Sequence, residues 1–474
     1  CTGSDRVGTA AGGRCPTGHL SRPNTWRPTM TRIAHRTYQS RRNQYDRIRH
    51  ALDGQDAMRE NASLYLRRPD GLTKSEWENY VRGAPFYPVA ESTMRSMVGL
   101  CFRKPPTFSV PARLEPFLDA ASFDGNSLEV TAEHLLREII TVGRVCALLD
   151  FPVDGNTVLS VPHLSIFDAE DIRDWRMGLV DGVKRLQYLR LNEFNEDLED
   201  TGTEQHLVLE LEDNAVLTIR RFHVSRNDQM GTTVETEIHD PIIPTVRGQT
   251  LGYLPAVIFG PYNLAPDTEK PPMLDLVDTN LQHYQHSAEL AHALWMSAMP
   301  TVVVSGNVNE DQRPRAVGPS AIWFLPDGAS AQYLSAPSDA HASLRQAIQD
   351  VEMRMNALGA TMILSGQRRN EAAATAQMRY QQDTSMLLSS IIQLEAGLRT
   401  LLSWAADWVQ PGEVIVEFNK DLVAQTITPQ LVTSLLTAVN AGALSRASFI
   451  DALRRGEVVE NTTEEELDKI EEEG

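Results

Sequence analysis

Between residues 273 and 409 one apolar rhythm recurs three times, and that recurrence restricts what the chain can fold into. The first segment carries Leu274, Val277, Leu281, Tyr284, Ala288, Ala291, Trp295 and Ala298 in alternating steps of three and four, the seam of a helix. After an insert, Leu344, Ile348, Val351, Met355 and Leu358 repeat the pattern. Within the insert TVVVSG, AIWFLP and AQYLSA read as short strands around the polar loop NVNEDQRPRAVGPS. Two helices flanking a small β insert are expected to lie antiparallel with the insert at their tip, forming a capped stalk.

The loop SGQRRN, residues 365–370, leads into a third helical segment, 371–409, which has no proline and one glycine, Gly397. At about 1.5 Å per residue this helix would be on the order of 58 Å long, so it needs neighbours to bury it. Its second half repeats the seam with Leu387, Ile391, Leu394, Leu398, Leu401, Ala405 and Trp408, whereas the first half is alanine-rich and polar. A bend is expected near Asp383, Thr384 and Ser385, where short polar side chains compete for backbone hydrogen bonds.

Upstream, residues 31–66 read as helical with arginines on the wet face. Helices follow at 74–82 and 88–102, the latter stopped by Pro105 and Pro106. Residues 128–142 form an amphipathic helix ended by Gly143 and followed by the strand-like RVCALLDF. KRLQYLRLNEF, HLVLELE, AVLTIRRF, VETEIHD and LPAVIF complete a β region, read as an antiparallel meander in an α+β domain. Beyond the long helix, EVIVEF is a strand, and helices follow, one with Ser445 as its N-cap.

Charge separates the chain into regions. Residues 1–60 hold eleven arginines, no lysine and five carboxylates, while the whole chain carries −19. The last fifteen residues, ENTTEEELDKIEEEG, hold eight carboxylates against one lysine, the pattern of a solvated helix end. A double-stranded DNA binder takes most of its affinity from phosphate neutralisation, so this body has the wrong sign for gripping DNA. No run of about 18 apolar residues suggests a membrane span, and the N-terminus lacks the apolar centre of a secretory signal, so a cytoplasmic origin is expected. The first residue is not methionine, and Met30 is a candidate natural start.

Catalytic signatures are absent: no GxxxxGK[ST] phosphate loop, no GxGxxG after a strand, no GxSxG and no HExxH. Cys1, Cys15, Cys101 and Cys146 show neither disulfide nor zinc spacing, and Cys101 and Cys146 read as buried packing. His283, His286 and His292 on the first stalk helix read as surface histidines, because no carboxylate or cysteine completes a ligand set. No metal or cofactor is expected, and the missing signatures lower the expectation of an enzyme. Arg368 and Arg369 offer two adjacent guanidiniums in a polar loop, able to touch a phosphate backbone transiently.

Helix, β insert, antiparallel helix, loop and long helix is the order of parts in bacteriophage portal proteins. YLRRPDGLTKSEWENYVRGAPFYPVAESTMRSMVGLCFRKPP resembles the N-terminal signature of a portal family catalogued as a domain of unknown function. SIFDAEDIRDWRM, LGYLPAVIFGP, PPMLDLVDTNLQHYQHSAELAHAL and LGATMILSGQRRNEAAATAQ resemble its later blocks, so the resemblance spans about residues 40–455. It implies an arginine-rich arm at 1–39, a wing at 40–272 completed by a strand at 410–420, stem helices at 273–298 and 340–358, and a clip at 299–339. It further implies a tunnel loop at 359–370, a long bent helix at 371–409 and a helical crown with the acidic tail at 421–474.

Portal proteins form closed rings, typically of twelve subunits, at one vertex of the head, and conduct DNA driven by a separate terminase ATPase. The implied partners are identical subunits, the major capsid protein, the terminase large subunit, a head-to-tail adaptor and double-stranded DNA passing without sequence preference, with no membrane. The implied place is the virion, with the host cytoplasm during assembly. Ser365, Gly366, Gln367, Arg368, Arg369 and Asn370 would line the tunnel, and Asn309, Glu310, Asp311, Gln312, Arg313 and Arg315, at the tip, would face the adaptor or terminase. Subunits would pack through Leu281, Tyr284, Trp295, Leu344 and Ile348 on the stem, and through Leu387, Ile391, Leu394, Leu398 and Trp404 on the long helix. The alternatives are another head-to-tail or minor capsid protein, and a multidomain enzyme with an active site hidden in the α+β region.

Overall fold

In the computed structural model the described residues are 34–150, 161–180, 182–195, 203–212, 216–227, 232–298, 301–306, 327–334, 339–360, 373–420 and 429–455, with isolated positions and pairs between them. Contacts divide the chain into Cys1–Ile33, outside the described residues, and Ala34–Gly474, which contains all the elements of the fold.

Helix α1, Arg36–Asp53, buries Tyr38, Tyr45, Ile48 and Ala51 on one face. Arg36 and Arg42 are exposed as that face requires, but Arg49 departs from the expected wet arginines and turns inward. Its guanidinium donates to Glu138 at 2.7 Å and to Glu170 at 2.8 Å. Glu138 is itself buried; burial pushes its carboxyl up, and the bonds from Arg49 oppose that shift. Helix α2, Lys74–Gly83, begins at a capping box made by Thr73 and Glu76. Helix α3, Val89–Cys101, leads to β1, Thr107–Ser109. Helix α4, Leu128–Thr141, starts on the Ser127 side chain. The chain then turns at Gly143, where φ is +77° and a Cβ would lie 2.9 Å from Pro272.

Among the described residues the β region holds two main sheets and two short hairpins rather than one meander. Strands β2 (Val145–Asp150), β3 (His163–Asp168), β4 (Ile172–Val180), β5 (Val183–Glu193), β6 (Thr203–Leu211), β7 (Leu217–Asn227), β8 (Thr232–Glu237) and β9 (Ala256–Phe259) sort into an antiparallel sheet β8-β7-β6-β5-β4 and a separate sheet β9-β2-β3. The separation has a compositional cause. β9 and nearly all of β2 are buried along their whole length and pair with each other, Val257 opposite Ala147, in the core, while the long strands of the meander carry exposed ends. Strand β4, with its mixed IRDWRMGLV, was not recognisable from alternation.

Helix α5, Leu274–Ala298, strands β10 (Thr301–Ser305) and β11 (Ser330–Leu334), and helix α6, Asp339–Met355, follow in the expected order. A π-helical turn, Asn356–Ala360, ends α6. Helix α7, Ala373–Val409, is 37 residues long, and Asp383–Ser385 do not break it. Strand β12, Ile415–Glu417, pairs antiparallel with β1, Val416 opposite Phe108, returning the chain to the N-terminal half. Helices α8, Pro429–Asn440, and α9, Arg446–Arg455, follow; Ser445 caps α9 through a 3.1 Å bond from the Ser448 N–H.

One hydrophobic core joins α1, α3, α4, the base of α5, the second half of α7, β2, β9 and β12. Leu387, Ile391, Leu394, Leu398, Leu401 and Ala405 on α7 are fully buried in it, each leucine contributing about 1.5–3 kcal/mol relative to exposure. Gly397 allows the close approach: a Cβ there would sit 2.2 Å from the ring of Phe259 on β9. Glu395, two residues earlier, accepts from Arg399 at 2.8 Å, from Lys420 at 3.0 Å and from the Phe418 N–H at 3.4 Å, fixing the exit from α7.

The meander buries a polar bridge. Arg190 Nε donates to His206 Nδ1 at 2.7 Å, so Nε2 carries the imidazole proton and donates to Glu204 at 2.9 Å. Burial pushes the His206 pKa down, which keeps the ring neutral in the folded chain.

Two outcomes follow for this core. Gly397→Ala is expected to destabilise the chain by about 1–3 kcal/mol in denaturant unfolding, with Phe259→Leu in the same chain recovering part of the loss. For His206, the unfolded chain takes up protons below the ordinary histidine pKa of 6.5 while the folded ring resists them. Stability therefore falls as pH drops through and below that value, and is fully present above it. His206→Gln should flatten that part of the stability–pH profile measured by thermal unfolding.

Candidate assembly surface

Helices α5 and α6 pack antiparallel and the β10–β11 hairpin joins their tips, Val303 opposite Gln332. Side chains cross between the helices near the base. His283 Nε2 lies 3.5 Å from Glu352, and Arg354 Nη1 donates to Gln282 at 3.4 Å. The Ser287 hydroxyl lies 3.4 Å from His283 Nδ1, and the ring of Tyr87 meets the His283 ring edge-on.

The base of α5 is rooted in the chain's own helices. Asn280 accepts from the Ala90 N–H at 3.2 Å and donates to the Tyr87 carbonyl at 3.0 Å; Gln285 donates to the Tyr65 carbonyl at 2.8 Å; Arg47 pairs with Asp278. Tyr284 meets Phe86 edge to face. Leu274, Val277, Leu281, Tyr284 and Ala288 are all buried.

Toward the tip the same helix changes character. Ala291 is half-buried, then Leu294, Trp295 and Met296 are exposed, Trp295 to 55 % and Met296 to 52 %. On α6, Val351 and Met355 are buried, Leu344 and Ile348 half-buried, and Met353 is 52 % exposed. A groove of about 420 Å³ lies between the two helices and the segment joining α2 to α3, lined by Pro85, Tyr87, His283, Leu290, Leu294 and Ile348 among others. Its mouth is continuous with the exposed apolar tip through Leu294.

This placement corrects the expected packing residues. Leu281, Tyr284, Leu387, Ile391, Leu394 and Leu398 are enclosed in the chain's own core and have no surface to offer another subunit. A seam spaced for burial can be filled from within or from without, and here the base of α5 and the second half of α7 are filled from within. Trp404 is half-buried, 4.9 Å from Tyr253, beside a cavity of about 440 Å³. Trp295 is the member of the set left open to solvent, with half-buried Leu344 and Ile348 on the facing helix. Leu294, Met296 and Met353 were missed because they lie off the seam; the run Leu294-Trp295-Met296 at the end of an otherwise polar face was the available signal.

The histidines are also corrected. His283 is buried, because α6 and Tyr87 cover it, and burial pushes its pKa down. His286 lies 3.6 Å from Glu289, and His292 sits between the rings of Tyr80 and Trp295. Among the described residues no group of three or more histidine, cysteine, aspartate or glutamate side chains could hold a metal ion. Burial pushes the thiols of Cys101 and Cys146 up to about 12. No described helix is long and apolar enough to cross a membrane. Residues 309–315, expected at the adaptor-facing tip, and 365–370, expected in the tunnel, lie outside the described residues.

The family described as a domain of unknown function, DUF4055, matches residues 272–409, the stretch from the start of α5 to the end of α7. No curated protein matches the chain. Among solved structures, the neck of a native GTA particle computed with C12 symmetry is similar at 13 % identity and a TM-score of 0.40, over 83 % of this chain and 98 % of that one. The neck of an empty GTA particle computed with C6 symmetry is similar at 13 % identity and a TM-score of 0.37, over 82 % and 95 %.

Proposed function

We propose that the chain is a portal subunit: several copies, twelve by the usual count of such rings, close around an axial channel that double-stranded DNA traverses during packaging and ejection. The observation that carries this reading is the split stalk. Two antiparallel helices are rooted in a large core, capped by a hairpin, and left apolar and uncovered toward the tip at Leu294, Trp295 and Met296. An uncovered apolar band on a protruding rod is a surface for a neighbour, and identical neighbours related by rotation generate a ring. The stem is then α5 and α6, the clip contains β10 and β11, α7 stands behind the tunnel loop, and the two sheets with α1–α4 form the wing.

The chain acts in this reading as a passive conduit. A partner ATPase drives the DNA, the head shell surrounds the wing, and an adaptor docks on the clip. A net charge of −19 per copy surrounds the duplex with like charge, which discourages tight phosphate binding and lets DNA slide. Arg368 and Arg369 supply a weak, movable contact against that background.

Negative-stain electron microscopy of the purified full-length chain should reveal rings with an axial hole, and the preparation should not hydrolyse ATP. Compact monomers at every concentration tested would contradict the reading, and intrinsic ATPase activity would point to an enzyme. The pair Trp295→Ser and Met296→Ser should leave helical content unchanged while shifting rings to smaller species in sedimentation. Arg368→Ala with Arg369→Ala should leave rings intact and alter DNA packaging or retention; unchanged packaging would count against the sliding contact.

A further inference from the structure

Arg144, immediately before β2, carries a guanidinium that the fold leaves unmatched. The residue is 2 % exposed, and its Nε, Nη1 and Nη2 have no hydrogen-bond partner among the described residues. Trp175 covers one face of the group, 3.9 Å from Cζ to the ring centroid, and the far side of that indole stacks on His35 at 4.1 Å. Stacking accounts for the face of the guanidinium and leaves the five N–H groups around its edge unexplained.

The hydroxyl of Tyr45, on the fully buried side of α1, is the neighbour that bears on this charge, electrostatically and as a loose hydrogen-bonding group, without reaching bond geometry to any described residue. Asp267 acts on Arg144 electrostatically but accepts no hydrogen bond from it. Burial pushes the Arg144 pKa down to about 10, which still leaves a cation at neutral pH. The other inward-turned arginines give the contrast. Arg49 meets two carboxylates, and Arg190 meets His206 with Glu235 3.1 Å away. Where this chain buries a guanidinium it supplies acceptors, and a buried cation without them is among the most unfavourable features a fold can retain.

We propose that Arg144 and Tyr45 hold one small oxyanion, of the phosphate or sulfate class, inside each folded chain. The planar fork of a guanidinium matches two oxygens of such an ion, a phenol hydroxyl can donate to a third, and Trp175 fixes the plane in which the fork lies. Enclosure restricts the ligand to something small, taken up as the chain folds. Its place matters because α1, β2 and β4 meet there, and because Gly143, the preceding residue, abuts Pro272 at the entrance to α5. The ion would thus tie the N-terminal helix to the platform that roots the stalk. This inference stands independently of the portal reading.

The test uses the full-length chain, exchanged into phosphate- and sulfate-free buffer, then denatured and assayed by ion chromatography. Wild type should release about one phosphate or sulfate per chain, and Arg144→Met none. In parallel, the wild-type Tm should rise saturably with added inorganic phosphate at constant ionic strength set with chloride. Tyr45→Phe keeps the aromatic packing and should raise the half-saturating phosphate concentration by about tenfold, the loss of one hydrogen bond to a charged group. Should Arg144→Met fail to fold, the wild-type release and the Tyr45→Phe titration decide the question. No released anion together with a Tm indifferent to phosphate would overturn the proposal. Release and titration unchanged in Tyr45→Phe would also overturn it, marking an adventitious ion only.

Discussion

A helix with an apolar seam must bury that seam somewhere, and the structure is organised by where each seam goes. The second half of α7 lies against β9, α4 and β12, with Gly397 bringing its backbone onto Phe259. The base of α5 enters the same core through Val277, Leu281 and Tyr284. These two burials fix the root of the stalk relative to both sheets. Among the described residues nothing encloses the end of α5, so Leu294, Trp295 and Met296 stay in water. Scattered exposed leucines are ordinary, but a tryptophan flanked by leucine and methionine on a projecting helix pair is a patch in search of a surface.

Much of this was legible in the order of residues. Seam spacing located α5, α6 and α7, capping chemistry at Ser445 set a helix start, and Gly143 set a stop. What periodicity could not reveal is which body fills a seam. Leu281 and Trp295 occupy equivalent positions of one repeat, yet the first is enclosed and the second open, because only the first lies level with α1, α3 and their connecting turns. The pairing of β9 with β2 was hidden for a related reason: it joins strands more than a hundred residues apart, and only their uniform burial betrays it.

Charged residues were the least legible. Arg49 and His283 read as solvated surface, and nothing in the spacing marked Arg144, Arg190 or His206; each of the five is inside or largely covered. Sequence spacing does not reveal a bridge such as Arg190–His206–Glu204, whose members come from two neighbouring strands and whose tautomer is set by the arginine. The acidic character of the chain as a whole is therefore a property of its surface, while several of its cations are spent inside. That distribution agrees with a channel wall that DNA passes without being held, the role proposed for the assembled chain.

The central claim is that the stalk is half rooted and half open, with the open half waiting for an identical neighbour. Hydrogen–deuterium exchange followed residue by residue along α5, on dilute single subunits and on the assembled species, tests it most directly. Slow exchange from Leu274 to Ala288 in both states, with exchange from Leu294 to Ala298 fast in the single subunit and slowed on assembly, is the predicted result. Uniform protection along α5 in the single subunit, unchanged on assembly, would contradict it.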